Sequence, residues 1–325
     1  MSRLTTTSSI AIVSSIAAGC TAPESACDRA CLIDIADGYF AAVAAHDPAK
    51  TRLSDEVAFV ENITALTPGE GLWASAAGLA TGFRIYVPDE AKGTVGIMTV
   101  IDRQTARGVV PAQLAVRLKI RGGQITEAEH LVVNVASEEE LKRLEAPRPN
   151  LTATVPERER LPRAELTAIA TSYYDALVAS DGNLAPFADD CERQENGMIT
   201  AGPGLAPAPF DSVDVDGRPP PPVARDCAGQ MSSRRFAYID GIDNRRIFAV
   251  DPVQCLAMGL SHFRQSMNRG PQLMIAADGS RVMWEEPRDP YDLPAAHIFK
   301  ITDGQIHEVE AIGIFVPYDS PTGWE

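Results

Sequence analysis

Little in this chain invites a polyanion or a metal. Lys and Arg total 29 against 44 Asp and Glu, and the formal net charge is −15. The arginines are scattered or set beside acids, so no basic patch exists. Nucleic-acid binding and attraction to an anionic membrane surface are therefore excluded. Only five of the 325 residues are histidine, without metal-ligand spacing. The six cysteines contain no CxxC pair, so no metal is expected. There is no GxSxG elbow, HExxH helix, Walker loop or helix-opening GxGxxG, and no cofactor is called for. No apolar run is long enough to span a bilayer.

What is present begins with an export signature. Arg3 precedes a short apolar stretch, residues 10–18, and then Ala17-Ala18-Gly19-Cys20. Residues 1–22 read as an export signal, with Cys20 as a candidate lipid anchor of the bacterial lipoprotein type. Ala17 departs from the Leu, Val or Ile usual there. The expected location is exported: periplasmic, secreted or membrane-anchored. An oxidising compartment permits disulfides. Cys191 with Cys227 is the favoured pair, because it ties a Pro-rich loop to a strand. Cys27 and Cys31, four apart, share a face if both are helical.

The strongest signal is self-similarity. Residues 35–62 align without a gap on residues 169–196, with identities such as Ile35 and Ile169, Tyr39 and Tyr173, Glu61 and Glu195, Asn62 and Asn196. Residues 119–129 (KIRGGQITEAE) align on 300–310 (KITDGQIHEVE) in the same order. The second copy carries inserted loops, with Pro-rich 201–223 and residues 270–295 the obvious ones. The expected division is a first domain at 23–137, a charged, Pro-containing linker at 138–162 and a second domain at 163–325.

Each copy reads as helices first, then hairpins. Residues 34–45 have helical apolar spacing, and Asp47-Pro48 suits a second, short helix start. Residues 57–63, 83–87, 96–102, 114–120 and 125–135 read as strands. The second copy repeats this with a helix at 164–179 and strands at 191–198, 235–242, 245–251, 254–263, 296–302 and 305–315. That order predicts an α+β fold with a mainly antiparallel sheet.

A long helix, a short helix at an Asp-Pro or Asp-Gly, hairpin strands and a closing DGQI-x-E hairpin resemble the SnoaL-like or nuclear transport factor 2-like superfamily. Asp303-Gly304-Gln305-Ile306-His307-Glu308 carries the match best, and the repeated Glu-Asn with Gly69-Glu70-Gly71-Leu72-Trp73 resembles a tandem branch of it. The resemblance implies two tandem cones, each a strongly curved sheet wrapped around its helices. It implies an apolar ligand in a cone and, for most enzymes of the superfamily, acid–base chemistry without a cofactor. The catalytic positions vary among its members, so no pair of residues is carried over.

Acid–base chemistry in an apolar cone needs a carboxylate or imidazole tuned by burial and a donor for a developing oxyanion. The second copy is richer in such groups. Asp240 or His262 is the candidate base, with Tyr238 or Tyr174 as donor. Tyr173, His297, Arg246 and Trp284 are the candidate substrate-binding residues. Against this, a single His on an apolar strand is more often a satisfied core residue, and Asp240 before Gly241 suits a turn. The Glu-Asn pairs kept in both copies favour a shared structural task. The leading expectation is a cofactor-independent lyase or isomerase acting on a small apolar or aromatic molecule in the second cone. An exported binding protein without turnover is the alternative, and a purely structural module the third. The first copy then supports the second, and a homodimer is admitted.

Overall fold

The computed structural model describes residues 27–205, 222–286 and 288–325. The export segment with Cys20, and most of the Pro-rich insertion, lie outside the described residues. The first copy starts with α1 (Arg29–Ala44), capped by the Asp28 carboxylate, which accepts from Cys31 N. A single turn at Pro48–Lys50 follows, started by Asp47. Then come β1 (Leu53–Glu61), β2 (Thr64–Leu66), the one-turn α2 (Leu72–Ser75), β3 (Ala76–Asp89), β4 (Thr94–Thr105), β5 (Gly108–Arg121) and β6 (Gln124–Asn134). These strands form one sheet in the order β2-β1-β6-β5-β4-β3, antiparallel throughout except for the β1–β6 pair. The short helices α3 (Glu138–Arg143) and α4 (Pro149–Thr152) lead to the second copy.

There α5 (Arg163–Ala179) and a turn at Gly182–Leu184 precede β7 (Phe187–Glu195), β8 (Met198–Ala201), α6 (Cys227–Ser232), β9 (Gly241–Asp251) and β10 (Leu256–Gln265). The hairpin of β11 (Gln272–Ile275) and β12 (Arg281–Trp284) stands apart as its own small sheet. The strands β13 (Tyr291–Thr302), β14 (Gln305–Gly313) and β15 (Val316–Pro317) close the chain. The main order, β8-β7-β14-β13-β10-β9, repeats the first sheet, with β7–β14 as its parallel pair. The fold is α+β: two curved, mainly antiparallel sheets, each holding its long helix.

Three apolar cores follow from strand alternation. One lies between α1 and the first sheet, a second between α5 and the second sheet. The third joins the outer faces of both sheets, with Met98 and Val100 of β4 and Leu131 of β6 against Phe248, Leu256, Met258 and Ile298. At Gly96 a Cβ would meet Met258 Sδ at 2.5 Å and Phe248 Cε2 at 3.1 Å, so any side chain there would have to displace the packing of the second sheet. The contact is also tied by equivalent ion pairs in both directions. Arg29 at the start of α1 holds the buried Asp251 at 3.0 Å, and Arg163 at the start of α5 holds the buried Asp89 at 2.5 Å.

Asn62 and Asn196 end β1 and β7 in the left-handed region, at φ 46° and 49°. Each side chain bonds both ways to backbone of the closing strand, Asn62 with Val132 and Asn196 with Gly313. Both cysteine pairs are closed: Cys27 to Cys31 across the start of α1, and Cys191 to Cys227 between β7 and α6. Among the described residues, no helix is long and apolar enough to cross a membrane.

One expected strand is absent. Residues 233–240 form turns rather than the start of β9, with Arg234 at φ 63° and bonds from Ala237 N to Arg234 O and from Ile239 N to Phe236 O. These turns follow directly on α6 and β9 begins only at Gly241, so Tyr238 and Asp240 do not share a strand face.

Candidate active site

The second cone is open where the first is filled. In the first, Leu114, His130 and Val132 point inward, and His130 is 1% exposed. His130 Nε2 meets Tyr39 OH at 2.9 Å, and Nδ1 meets Glu61 Oε2 at 3.1 Å. Glu61 also accepts from Leu72 N, while Trp73 packs edge-on to Tyr39 at 5.2 Å. The equivalent positions in the second copy are Ala295, Ala311 and Gly313, and all three line a cavity of about 390 Å³. Shorter side chains at three neighbouring sites account for the space.

Across the floor of this cavity the sheet register is decisive. Glu195 on β7 pairs with Ala311 on β14, and Ala311 pairs with His297 on β13. Glu195 and His297 thus flank a methyl group, and the cavity lies over it. The His297 ring is 4% exposed, stacked on Phe299 and packed by Tyr173. Burial holds its pKa down to about 4, so the imidazole is neutral near pH 7. Its Nδ1 lies 3.3 Å from Tyr174 OH.

Beside Glu195, Arg193 is almost fully buried. Its guanidinium pairs with Glu195 and donates to Gln230 Oε1 at 2.6 Å, and Gln230 donates on to Thr200 O. The rings of Tyr173 and Phe236 lie 5.8 and 5.2 Å from the guanidinium carbon. Burial pushes the Tyr173 phenol up to about 12 despite Arg193, so it stays protonated and able to donate. Tyr238, Tyr291, Phe263 and Phe315 give the cavity aromatic walls, and Glu286 pairs with Arg288 at 2.9 Å on its border.

Of the residues singled out from sequence, Tyr173, Tyr238 and His297 line the cavity, and Tyr174 stands behind His297. The others do not reach it. Asp240 is clamped by Arg269 at 2.8 Å and by Ser266 N; burial raises its pKa, but these bonds outweigh that and hold it low. His262 lies on the other face of β10, between the sheets, 3.4 Å from Asp292, and burial lowers its pKa. Arg246 makes a two-pronged pair with Glu129 of the first copy at 2.7 and 3.0 Å. Trp284 is buried in the β11–β12 hairpin beside a much smaller pocket.

Sequence reasoning missed Arg193, Gln230 and Arg288, and assigned Glu195 a structural task. The missed signal was the contrast between copies: His130 and Leu114 against Ala311 and Ala295 at matching places in the aligned strands.

Among solved structures, a candidate polyketide cyclase from Silicibacter sp. TM1040 aligns at 17% identity, covering 48% of this chain and 92% of its own, with a TM-score of 0.29. A candidate hydroxylase, AclR of Streptomyces galilaeus, aligns at 10% identity over 48% of this chain and 83% of its own, TM-score 0.28. A hypothetical protein of ketosteroid isomerase-like fold from Catenulispora acidiphila, in complex with trimethylamine, aligns at 15% identity over 35% and 94%, TM-score 0.24. No curated protein matches the sequence. Residues 25–132 and 159–313 both match one family profile, and the chain belongs to that family, described as a domain of unknown function (DUF8021).

Proposed function

We propose that the second cone is the active site of a cofactor-independent lyase or isomerase that moves a proton next to a carbonyl group of a small, largely apolar or aromatic molecule. The observation that carries this reading is the gap over Ala311, with a carboxylate on one side and a neutral imidazole on the other. Glu195 takes the proton from carbon, and the electron pair moves onto the carbonyl oxygen. With Tyr174 donating to Nδ1, His297 carries its proton on Nε2 and donates it as a hydrogen bond to that oxygen. A neutral imidazole suits this role, because it stabilises the oxyanion without needing to be charged beforehand. Tyr173 is a second donor, and Arg193 offsets the negative charge on Glu195 or on the product. Two disulfides support an exported setting for this work.

One observation favours binding without turnover: Glu195 already has Arg193 as a partner. The test separates the two. Aromatic and terpenoid ketones are incubated with the protein in heavy water, and mass spectrometry follows carbon-bound deuterium. Deuterium uptake is expected, falling by about 100-fold or more in Glu195→Gln and in His297→Ala. It is expected to vanish in Ala311→His, which restores the filled arrangement of the first cone. Compounds that bind but take up no deuterium would replace the enzyme with a binding protein.

A further inference from the structure

Phe315, just past β14, completes the cavity mouth and heads a strap that runs on to residue 325. After β14, Ile314 returns into the core between the sheets, and Phe315 turns out to 62% exposure at the cavity border. Its ring packs on Tyr291 at 5.0 Å, and Arg288 lies 5.7 Å from its centre. Beyond it, β15 pairs with the start of β13, and Ser320 bonds through its N–H to Asp292 and through its carbonyl to Arg264. The chain then crosses to the first copy. Gly323, at φ 84°, sits where a Cβ would be 2.7 Å from the Ile63 backbone and 2.8 Å from Val60. Trp324 places its ring 5.1 Å from the Arg117 guanidinium carbon. Glu325 ties the end together, accepting from Thr322 and Gly323.

We infer that Phe315 is the access-determining residue of the second cavity, and that the first copy sets its position by holding the strap of residues 314–325. The strap has two anchors. One is the pairing of β15 and Ser320 with β13, next to the mouth. The other is the seat of Gly323 and Trp324 on the first copy, beside a small pocket of about 20 Å³ that Val60, Ile63 and Thr322 help to line. Releasing the second anchor lets the two-residue pairing of β15 with β13 fray, and Phe315, next to Val316, then moves off Tyr291. This inference rests on the cavity being a ligand site, but not on any turnover within it.

The test uses the full chain with Ala311→Cys, which puts a thiol on the cavity floor. Reaction with an aromatic disulfide reagent is followed by absorbance. Cys255, the free cysteine among the described residues, is buried and reports unfolding if it reacts as well. Phe315→Ala is expected to speed labelling of position 311 several-fold by removing the lip. Trp324→Ala and Gly323→Ala, about as far from the mouth as the strap reaches, are expected to do the same while Cys255 stays unreactive. Unchanged rates in both strap variants, or no labelling in any variant, would overturn the inference. Because no turnover is read, absence of catalysis leaves this result standing. Conversely, catalysis with strap-independent labelling would remove the strap's role and keep the reaction.

Discussion

Glu310 is a carboxyl group cut off from water, with no exposed surface. Arg148 meets Glu192, Glu308 and Glu310, each at 3.3 Å, and one guanidinium does not balance three carboxylates. Burial raises the Glu310 pKa to about 7, and Arg148 only partly opposes it. The equivalent Glu129 is also buried, but Arg246 and Arg117 together hold its pKa low. A carboxyl group whose folded pKa lies above its unfolded value keeps its proton longer in the folded state. Stability from this site is therefore full below about pH 4.5 and declines as pH rises through about 7, by about 3 kcal/mol at most. Glu310→Gln is expected to remove that decline, so urea unfolding at pH 5 and pH 8 should differ less in the variant than in the parent. An equal difference in both would show that Glu310 is ionised throughout.

The same scale shows what was legible in the sequence. The duplication located equivalent residues correctly, and the repeated Asn did prove structural. The inward face of the strands was hidden, because β4, β10 and β13 are buried on both sides and lack a polar–apolar alternation. That is why His297 and His262, both on apolar strands, looked equally eligible. One faces the cone and the other faces the first copy.

At the scale of elements, α6 is a short helix that does two things to β7. Cys227 at its start is bonded to Cys191, and Gln230 one turn later holds Arg193, two residues along the strand. The disulfide closes a separation of 36 residues. Replacing both cysteines by serine is expected to cost about 2–4 kcal/mol, measured by denaturant unfolding. It should also loosen Arg193, seen as faster exchange of the β7 amides. A variant as stable as the parent, with unchanged exchange, would mean that Gln230 and the surrounding packing suffice. This element was partly legible: the cysteine pairing follows from a loop joined to a strand, but nothing in the sequence of α6 announces that it interrupts an expected strand at 235–242.

At the scale of the whole molecule, the third core makes one cooperative unit of the two copies. A copy alone would expose the apolar outer face of its sheet, including Met98 and Val100 or Met258 and Ile298. Asp251→Ala and Asp89→Ala each remove an ion pair at that contact and leave a backbone N–H, of Val253 or Val250, without its carboxylate, and are expected to destabilise the whole chain by about 2 kcal/mol. Heat unfolding followed by far-ultraviolet circular dichroism and by tryptophan fluorescence should give coincident single transitions. Two separated transitions would show that the copies fold independently. The α+β class and the order of elements were legible from hairpin signals and repeats; the face-to-face packing was not, because an outer face that is apolar for contact looks the same as one that is apolar for a core.

The contrast between His130 and Ala311 has a consequence for ancestry. In a symmetric pair of identical chains, every substitution is made twice, so a change that empties one cone empties the other. Once both copies lie in one reading frame that bond is broken. One copy is then free to give up its interior to solid packing and become a chassis, while the other alone keeps an open interior.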